Sequence, residues 1–224
     1  MSITSATLQA LKKYSTCEIA DALLKLGQRP WGGYLPDINM WSPEFCSGDT
    51  KIIGPAFTVK FVHKEDTTSP TPDQHFVDAA TEGSVMVISV PPDVKNACWG
   101  GLMSARAMAK NVQGVIIDGR IRDLSEQRQL KFPLFAKAHS ILPQNAFTRP
   151  SALQVPISFE HAPDVIIHPG DIMVADLDGV VCIPQHLVDQ VVQSCEKYTA
   201  IDEKCMQDLL KGHTIQETFK KHRG

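Results

Sequence analysis

The chain has 224 residues, 43% of them hydrophobic and 21% charged, with a formal net charge of −3. Those proportions belong to a globular protein and exclude a largely disordered chain, and the near balance of charge removes the basic footprint that a nucleic-acid partner needs. No apolar run approaches the ~20 residues of a membrane span and the first 14 residues carry no apolar leader core, so no membrane partner is expected and the expected location is cytoplasmic.

The length suits one substantial core, and the expected organisation is a single domain over 1–224. Residues 8–14 and 15–24 read as two helical pieces, the second opened by the capping box Ser15-x-x-Glu18 and carrying Ile19, Leu23 and Leu26 at helical spacing. A turn-rich stretch from 27 to 36 precedes a strand over 52–62 with a Gly54-Pro55 bend. The polar stretch 63–74 is a predicted loop, and 75–81 a predicted helix.

Residues 84–90 form a continuous apolar run of strand length, stopped by Pro91-Pro92. A helix over 102–110 then leads through Gly114 into a strand at 115–117, and this strand, helix, strand order predicts parallel neighbours in an α/β sheet. Residues 135–141 and, weakly, 151–159 read as further strands. The segment 164–184 reads as a β-meander turning at Pro169-Gly170 and Asp178-Gly179. Residues 185–211 form a helix with Leu187, Val191, Cys195 and Tyr198 on one stripe, and Lys220-Lys221-His222-Arg223 reads as a solvated tail. The six cysteines show no C-x-x-C pair, so free, half-buried thiols are expected rather than a zinc or disulfide frame.

The chemistry concentrates where the apolar run from Gly114 ends in Asp118-Gly119-Arg120-Ile121-Arg122-Asp123. A fixed cation beside a carboxylate is what a metal-assisted site for oxyanions requires. Upstream, Gly100-Gly101-Leu102-Met103 opens a helix whose first backbone N–H groups are placed to hold an anion. The two segments point to an enzyme for small carboxylic acids.

These residues, with Ser15-Thr-Cys-x-Ile-x-Asp21, Gly54-Pro-Ala-x-Thr-Val59 and Pro169-Gly-Asp-x-x-x-Ala-Asp-x-Asp-Gly-Val-Val181 in the same order, resemble the RraA-like family of 4-hydroxy-4-methyl-2-oxoglutarate aldolases. The Gly-Gly-Leu-Met-Ser form resembles its fungal-type branch. The resemblance implies a β/β/α sandwich of the swivelling-domain type with N- and C-terminal helices, assembled as a homotrimer or hexamer with sites between subunits. It implies Mg²⁺ or Mn²⁺, retro-aldol cleavage of 4-hydroxy-4-methyl-2-oxoglutarate to two pyruvates, and oxaloacetate decarboxylation. It carries Asp123 over as the metal ligand, Arg122 as a catalytic, substrate-contacting residue, and the backbone of Gly100, Gly101, Leu102 and Met103 as a carboxylate cradle. Both reactions release a pyruvate enolate, which a hard cation stabilises as a Lewis acid. With no histidine beside the motif, a water on the cation is the expected proton carrier.

One departure stands out. Many bacterial relatives have an acid where this chain has Gly101, which leaves water positioning without an assigned residue. An acid from a neighbouring subunit's C-terminal helix is also implied, with Glu196, Asp202 and Glu203 as unranked candidates. Plainer readings stand beside these. Asp123-x-x-Glu126 is itself a capping-box pattern, Arg122 suits a surface ion pair, and Gly100-Gly101 suits a tight turn. Asp21 suits a solvent-facing helix position. Asp171, Asp176 and Asp178 read as turn chemistry rather than a second metal site, and His161 and His168 as strand-end residues. Lys60 is the one lysine considered for a Schiff base and reads better as a strand lysine reaching solvent. A protein-binding regulator of a ribonuclease is the alternative function. A methyltransferase reading finds no G-x-G-x-x-G after any strand.

Overall fold

Apolar residues fill both faces of the central strands, and their alternation builds two cores from one sheet. The computed structural model describes residues 5–224, so the first four residues of the expected domain lie outside the described residues. Its strands are β1 (Asn39–Ser42), β2 (Ile52–His63), β3 (Val85–Ser89), β4 (Ala97–Trp99), β5 (Gly114–Ile121), β6 (Leu134–His139), β7 (Thr148–Leu153), β8 (Ile157–Phe159), β9 (Ala162–Ile167), β10 (Ile172–Asp176) and β11 (Gly179–Ile183). Its helices are α1 (Ser5–Leu11), α2 (Thr16–Lys25), α3 (Phe76–Ala79), α4 (Gly101–Ala109), α5 (Leu124–Leu130), α6 (Val188–Leu210) and α7 (Ile215–His222).

The large sheet runs β1-β6-β5-β3-β2-β10-β11, with β4 paired to β5 and β7 to β2. Strands β2, β3, β5 and β6 are parallel neighbours, as the strand, helix, strand order predicts. The long β2 serves two partners in turn: residues 52–55 pair with β10 and residues 56–60 with β3, so the Gly54-Pro55 bend marks the handover. Side chains one residue apart on a strand face opposite ways. Met86, Ile88, Val115 and Ile117 thus pack under α3, α4 and α5, while Val85, Val87 and Ile116 pack against β8 to β11. Burial on both faces is why this part of the sequence reads as an unbroken apolar run. The outer face of the β10–β11 hairpin contributes Ile172, Val174, Val181 and Ile183 to a third core with α1, α2 and α6. Two β layers with helices outside them are the α/β architecture expected, with terminal helices at both ends of the chain.

Local capping explains several boundaries. The Ser15–Glu18 capping box forms on α2, as read. A second one, Thr214 with Glu217, opens α7 in the stretch read as a tail. There Lys221 and His222 both reach Asp208 at 2.8 Å and Arg223 pairs with Asp202, folding α7 back on α6.

Other expectations need correction. The weak strand at 151–159 is two strands, because Gln154 at φ 53° and Pro156 break it. The meander does not form as one unit, since β9 pairs with β8 in a separate two-stranded sheet and only β10 and β11 form the hairpin. Short β1 and β4 were not anticipated, each being too brief to show a period. Asp118-Gly119 does not reverse the chain: β5 continues to Ile121, with pairing to β3 ending at Asp118 and the register with β6 shifting between Ile117 and Arg120, and the buried Asp118 accepts a hydrogen bond from the Glu160 N–H at 2.9 Å. All six cysteines are free, with Cys98, Cys182, Cys195 and Cys205 buried. Among the described residues no helix is long and apolar enough to cross a membrane.

Candidate active site

The turn in the motif falls four residues later than the Asp-Gly signal suggested, at Arg122-Asp123 itself. β5 ends at Ile121, and the Arg122 N–H donates to the Trp99 carbonyl at 2.9 Å, tying the end of β5 to the end of β4. Asp123 follows with φ 62° and ψ 43° and opens α5. Aspartate is among the few side chains that adopt this left-handed region readily, at a cost on the order of 1 kcal/mol. The conformation prevents Asp123 from capping its own helix, so the capping-box reading fails for it: no side-chain cap bond forms. Its Oδ2 instead accepts the Gly101 N–H at 3.0 Å, at the N-terminus of α4, and lies 3.5 Å from Arg122 Nε.

The two glycines now have a steric reason. A Cβ on Gly100 would stand 2.5 Å from Asp123 Oδ2, and one on Gly101 would stand 2.0 Å from Glu126 Oε2. The missing acid at 101 is therefore matched by a carboxylate from α5 lying where a side chain at 101 would begin. Glu126 was passed over in the sequence because Asp123-x-x-Glu126 has a ready explanation as a cap. The anion cradle is narrower than expected. Within Gly100 to Met103, the Gly101 N–H is spent on Asp123 and the Met103 N–H on the Gly100 carbonyl at 3.0 Å, leaving the Leu102 N–H as the free donor of the first turn among the described residues.

A buried polar chain fixes this geometry. Trp99 Nε1 donates to Ser104 Oγ at 2.8 Å, Ser104 donates to Gln127 Oε1, and Gln127 Nε2 reaches the Arg122 carbonyl at 3.4 Å. Ser42 Oγ donates to the Gln127 carbonyl at 2.9 Å. Fully satisfied networks of this kind hold neighbouring elements in one arrangement, here α4 against α5. Gln127 and Ser104 are wholly buried. The signal available in the sequence was a polar residue one helical turn after Asp123, on the face that packs inward.

Arg122 and Asp123 are about one-third to two-fifths exposed and line a cleft of about 150 Å³ with Trp99, Gly100, Leu102 and Met103. The cleft also takes in Cys98, just before Trp99, and His75 and Gln144, which are distant from both site segments in sequence. The expectation of no nearby histidine thus holds along the chain and fails in space. Burial pushes the Cys98 thiol up to about 12, so it is un-ionised and no nucleophile. Among the described residues no three His, Cys, Asp or Glu side chains converge as a ready-made metal cage. Hard oxygen donors in small number, with room for water, are a set suited to Mg²⁺ or Mn²⁺ and unsuited to a structural zinc. Asp123 Oδ1 is the cleft oxygen that would contribute; Glu126 lies against Gly101 on the exposed side of α5, outside the residues that line the cleft.

The remaining candidates lie elsewhere. Asp171 accepts from the His168 and Gln185 N–H groups, and Asp176 from the Thr16 N–H and hydroxyl and the Asp178 N–H, so both serve turns and caps. His161 is beside Glu160, Lys60 is exposed on β2, and Asp21 faces solvent on α2. Of the C-terminal acids, Asp202 is held by Arg223 and Glu203 is exposed; with Glu196, none lines this chain's cleft.

Comparisons with known proteins place the chain by family and by fold. The chain is 33% identical over 153 residues to a Halalkalibacterium halodurans protein provisionally named 4-hydroxy-4-methyl-2-oxoglutarate aldolase, covering 68% of this chain and 69% of that one. It is 28% identical over 211 residues, 94% of its length, to Protein DlpA of Legionella pneumophila, and spans only 32% of that longer protein. Among solved structures, an uncharacterised Pseudomonas syringae protein superposes with a TM-score of 0.81 at 28% identity, covering 97% and 98% of the two chains. Streptomyces coelicolor RraAS2, described as an unusual member of the RNase ES inhibitor RraA protein family, superposes with a TM-score of 0.75 at 23% identity, covering 95% and 99%. The sequence model of the RraA-like family, Aldolase/RraA, matches residues 16–182, and the chain belongs to that family.

Proposed function

We propose that the protein is a lyase that uses Mg²⁺ or Mn²⁺ to cleave 4-hydroxy-4-methyl-2-oxoglutarate into two pyruvates, and that it also decarboxylates oxaloacetate. The observation that carries this reading is the left-handed Arg122-Asp123 turn, folded onto the Gly100-Gly101 helix start with Glu126 against Gly101. When bound, the cation would supply Lewis-acid polarisation of the 2-oxo group. Asp123 would hold it through the oxygen that the Gly101 N–H leaves free. The Arg122 guanidinium supplies a permanent positive charge toward the enolate oxygen as the C–C bond electrons move onto the pyruvyl fragment. The Leu102 N–H, at the positive end of α4, receives the adjoining carboxylate.

In the retro-aldol direction the 4-hydroxyl loses its proton, the bond between C3 and C4 breaks, and C3 of the enolate gains a proton. Glu126, which lies against Gly101 rather than in the cleft wall, would take the first proton through a bridging water. Decarboxylation breaks the bond between C3 and its carboxyl carbon and needs only the enolate half of this machinery. Assembly as a trimer or hexamer is part of the proposal, because the cleft is open and one chain leaves it with few walls.

The test is a lactate-dehydrogenase-coupled assay for pyruvate from both substrates with Mg²⁺, Mn²⁺ or EDTA, corrected for decarboxylation by free metal. Turnover that EDTA removes supports the reading; equal turnover in EDTA ends it. The likeness to RraAS2 favours a second reading, a ribonuclease-binding regulator acting through its outer surface. That reading predicts ribonuclease inhibition that survives Asp123→Ala together with no turnover of either acid.

A further inference from the structure

We propose that His75 reads the second carboxylate of a 2-oxo diacid in this cleft, donating a hydrogen bond to it from Nε2. The proposal takes its substrate class from the lyase reading above.

The chemistry of the ring is set by α3. The Val77 N–H donates to His75 Nδ1 at 3.3 Å, capping that helix, so Nδ1 carries a lone pair and the hydrogen of the neutral ring sits on Nε2. The ring stacks on Phe76 with centroids 4.6 Å apart at 30°, and Phe76 meets the buried Trp99, the residue before Gly100, at 6.1 Å. Cap and stack together fix the imidazole as a donor rather than a base.

Few other donors in the cleft compete for this role. Trp99 Nε1 is spent on Ser104, and the Gly101 N–H on Asp123. Gln144 gives one of its two amide hydrogens to the Thr148 carbonyl at 3.4 Å and keeps the other. Arg122 and the Leu102 N–H serve the pyruvyl end. His75 Nε2 has no partner among the described residues and is the ring donor lining the same cleft from a separate element. A monoacid such as pyruvate would make no use of it; a diacid of four or five backbone carbons has a carboxylate to offer.

Two variants separate the donor from the cap. Asparagine is a favoured N-cap, so His75→Asn keeps an acceptor for the Val77 N–H and loses the distal donor. His75→Gln keeps an N–H at the longer reach and gives up the cap. The Mn²⁺-loaded protein is titrated calorimetrically with 2-oxoglutarate, a diacid with no bond for this reaction to cleave, and with pyruvate. His75→Asn is expected to weaken 2-oxoglutarate roughly tenfold or more, the usual loss for a hydrogen bond to a charged group, while pyruvate stays within about twofold. His75→Gln is expected to restore part of the diacid affinity. A His75→Asn protein that binds 2-oxoglutarate like wild type, or that loses both acids equally, overturns the proposal while leaving the lyase reading in place. Wild-type protein that binds neither acid overturns the lyase reading and the proposal with it.

Discussion

Two acidic turns in this protein look alike in sequence and behave differently in space. At the β10–β11 hairpin, Asp171 and Asp176 sit beside Pro-Gly and Asp-Gly turns, and their oxygens are taken up by backbone N–H groups, a hydroxyl, the Cys182 thiol and the Lys51 ammonium of the fold. At the end of β5, Asp123 spends one oxygen on the Gly101 N–H and keeps the other, beside an arginine and a cleft. The first carboxylate type completes the fold, and the second keeps an oxygen without a partner among the described residues. Acidic residues near turns are thus sorted by where their lone pairs go, which a residue pattern alone does not disclose.

Substitution sharpens the contrast. Asp123→Ala should lower pyruvate release by roughly a hundredfold to a thousandfold, the scale seen when a key electrostatic group leaves a site, with a modest fall in melting temperature from the left-handed alanine and the unpaired Gly101 N–H. Asp171→Ala should do the reverse, orphaning two N–H groups at about 1–3 kcal/mol each while the folded fraction keeps its turnover. Denaturant melts and specific activity measured on both variants would break the comparison if Asp171→Ala proved the more damaging to catalysis.

A smaller effect tests the link between Gly101 and Glu126. In Gly101→Ala the new methyl collides with a flexible carboxylate, which is driven off at little cost in stability. Activity should fall about tenfold in that variant and in Glu126→Gln, and the double variant should be no worse than either, since both remove one interaction. Additive losses would show that Glu126 acts independently of the Gly101 gap.

The smallest expected effect concerns a carboxylate outside both turns. Burial raises the Asp118 pKa, against the lowering influence of the Glu160 N–H and Lys137. A raised folded-state value means the neutral acid is favoured on folding, so its contribution is greatest below the unfolded aspartate pKa and is lost as pH rises through the folded value. Asp118→Asn keeps an acceptor for the Glu160 N–H, so it should leave stability at pH 7 equal or higher and flatten its decline between acid and neutral pH. Asp118→Ala should be less stable at both ends. Urea melts across that range decide the point.

The fold was legible where the sequence had one strong period. The run at 84–90 and the helix before Gly114 gave a parallel pair, and Ser15-x-x-Glu18 gave a cap that forms as written. It was least legible where a rule of local chemistry met a tertiary competitor. Asp118-Gly119 carries a turn signal, but pairing with β3 up to Asp118 and with β4 and β6 from Arg120 carries β5 past it, and the signal shows only as a register shift against β6. Asp123-x-x-Glu126 carries a cap signal, but a left-handed Asp123 sends its carboxylate to another helix. Arg122 and Asp123 stood out because an apolar run ended in charge. His75, Glu126 and Gln127 did not, because one is distant along the chain, one had a bland explanation, and one is a buried glutamine whose partners come from three other elements.

The measurement that bears most directly on the central claim is Mn²⁺ binding followed by electron paramagnetic resonance on wild type, Asp123→Ala and Asp176→Ala. If the β5 turn is the metal-assisted pyruvyl site, wild type and Asp176→Ala bind one Mn²⁺ per chain and oxalate, a mimic of the pyruvate enolate, perturbs its spectrum, while Asp123→Ala binds none. Undiminished Mn²⁺ binding in Asp123→Ala would contradict the account.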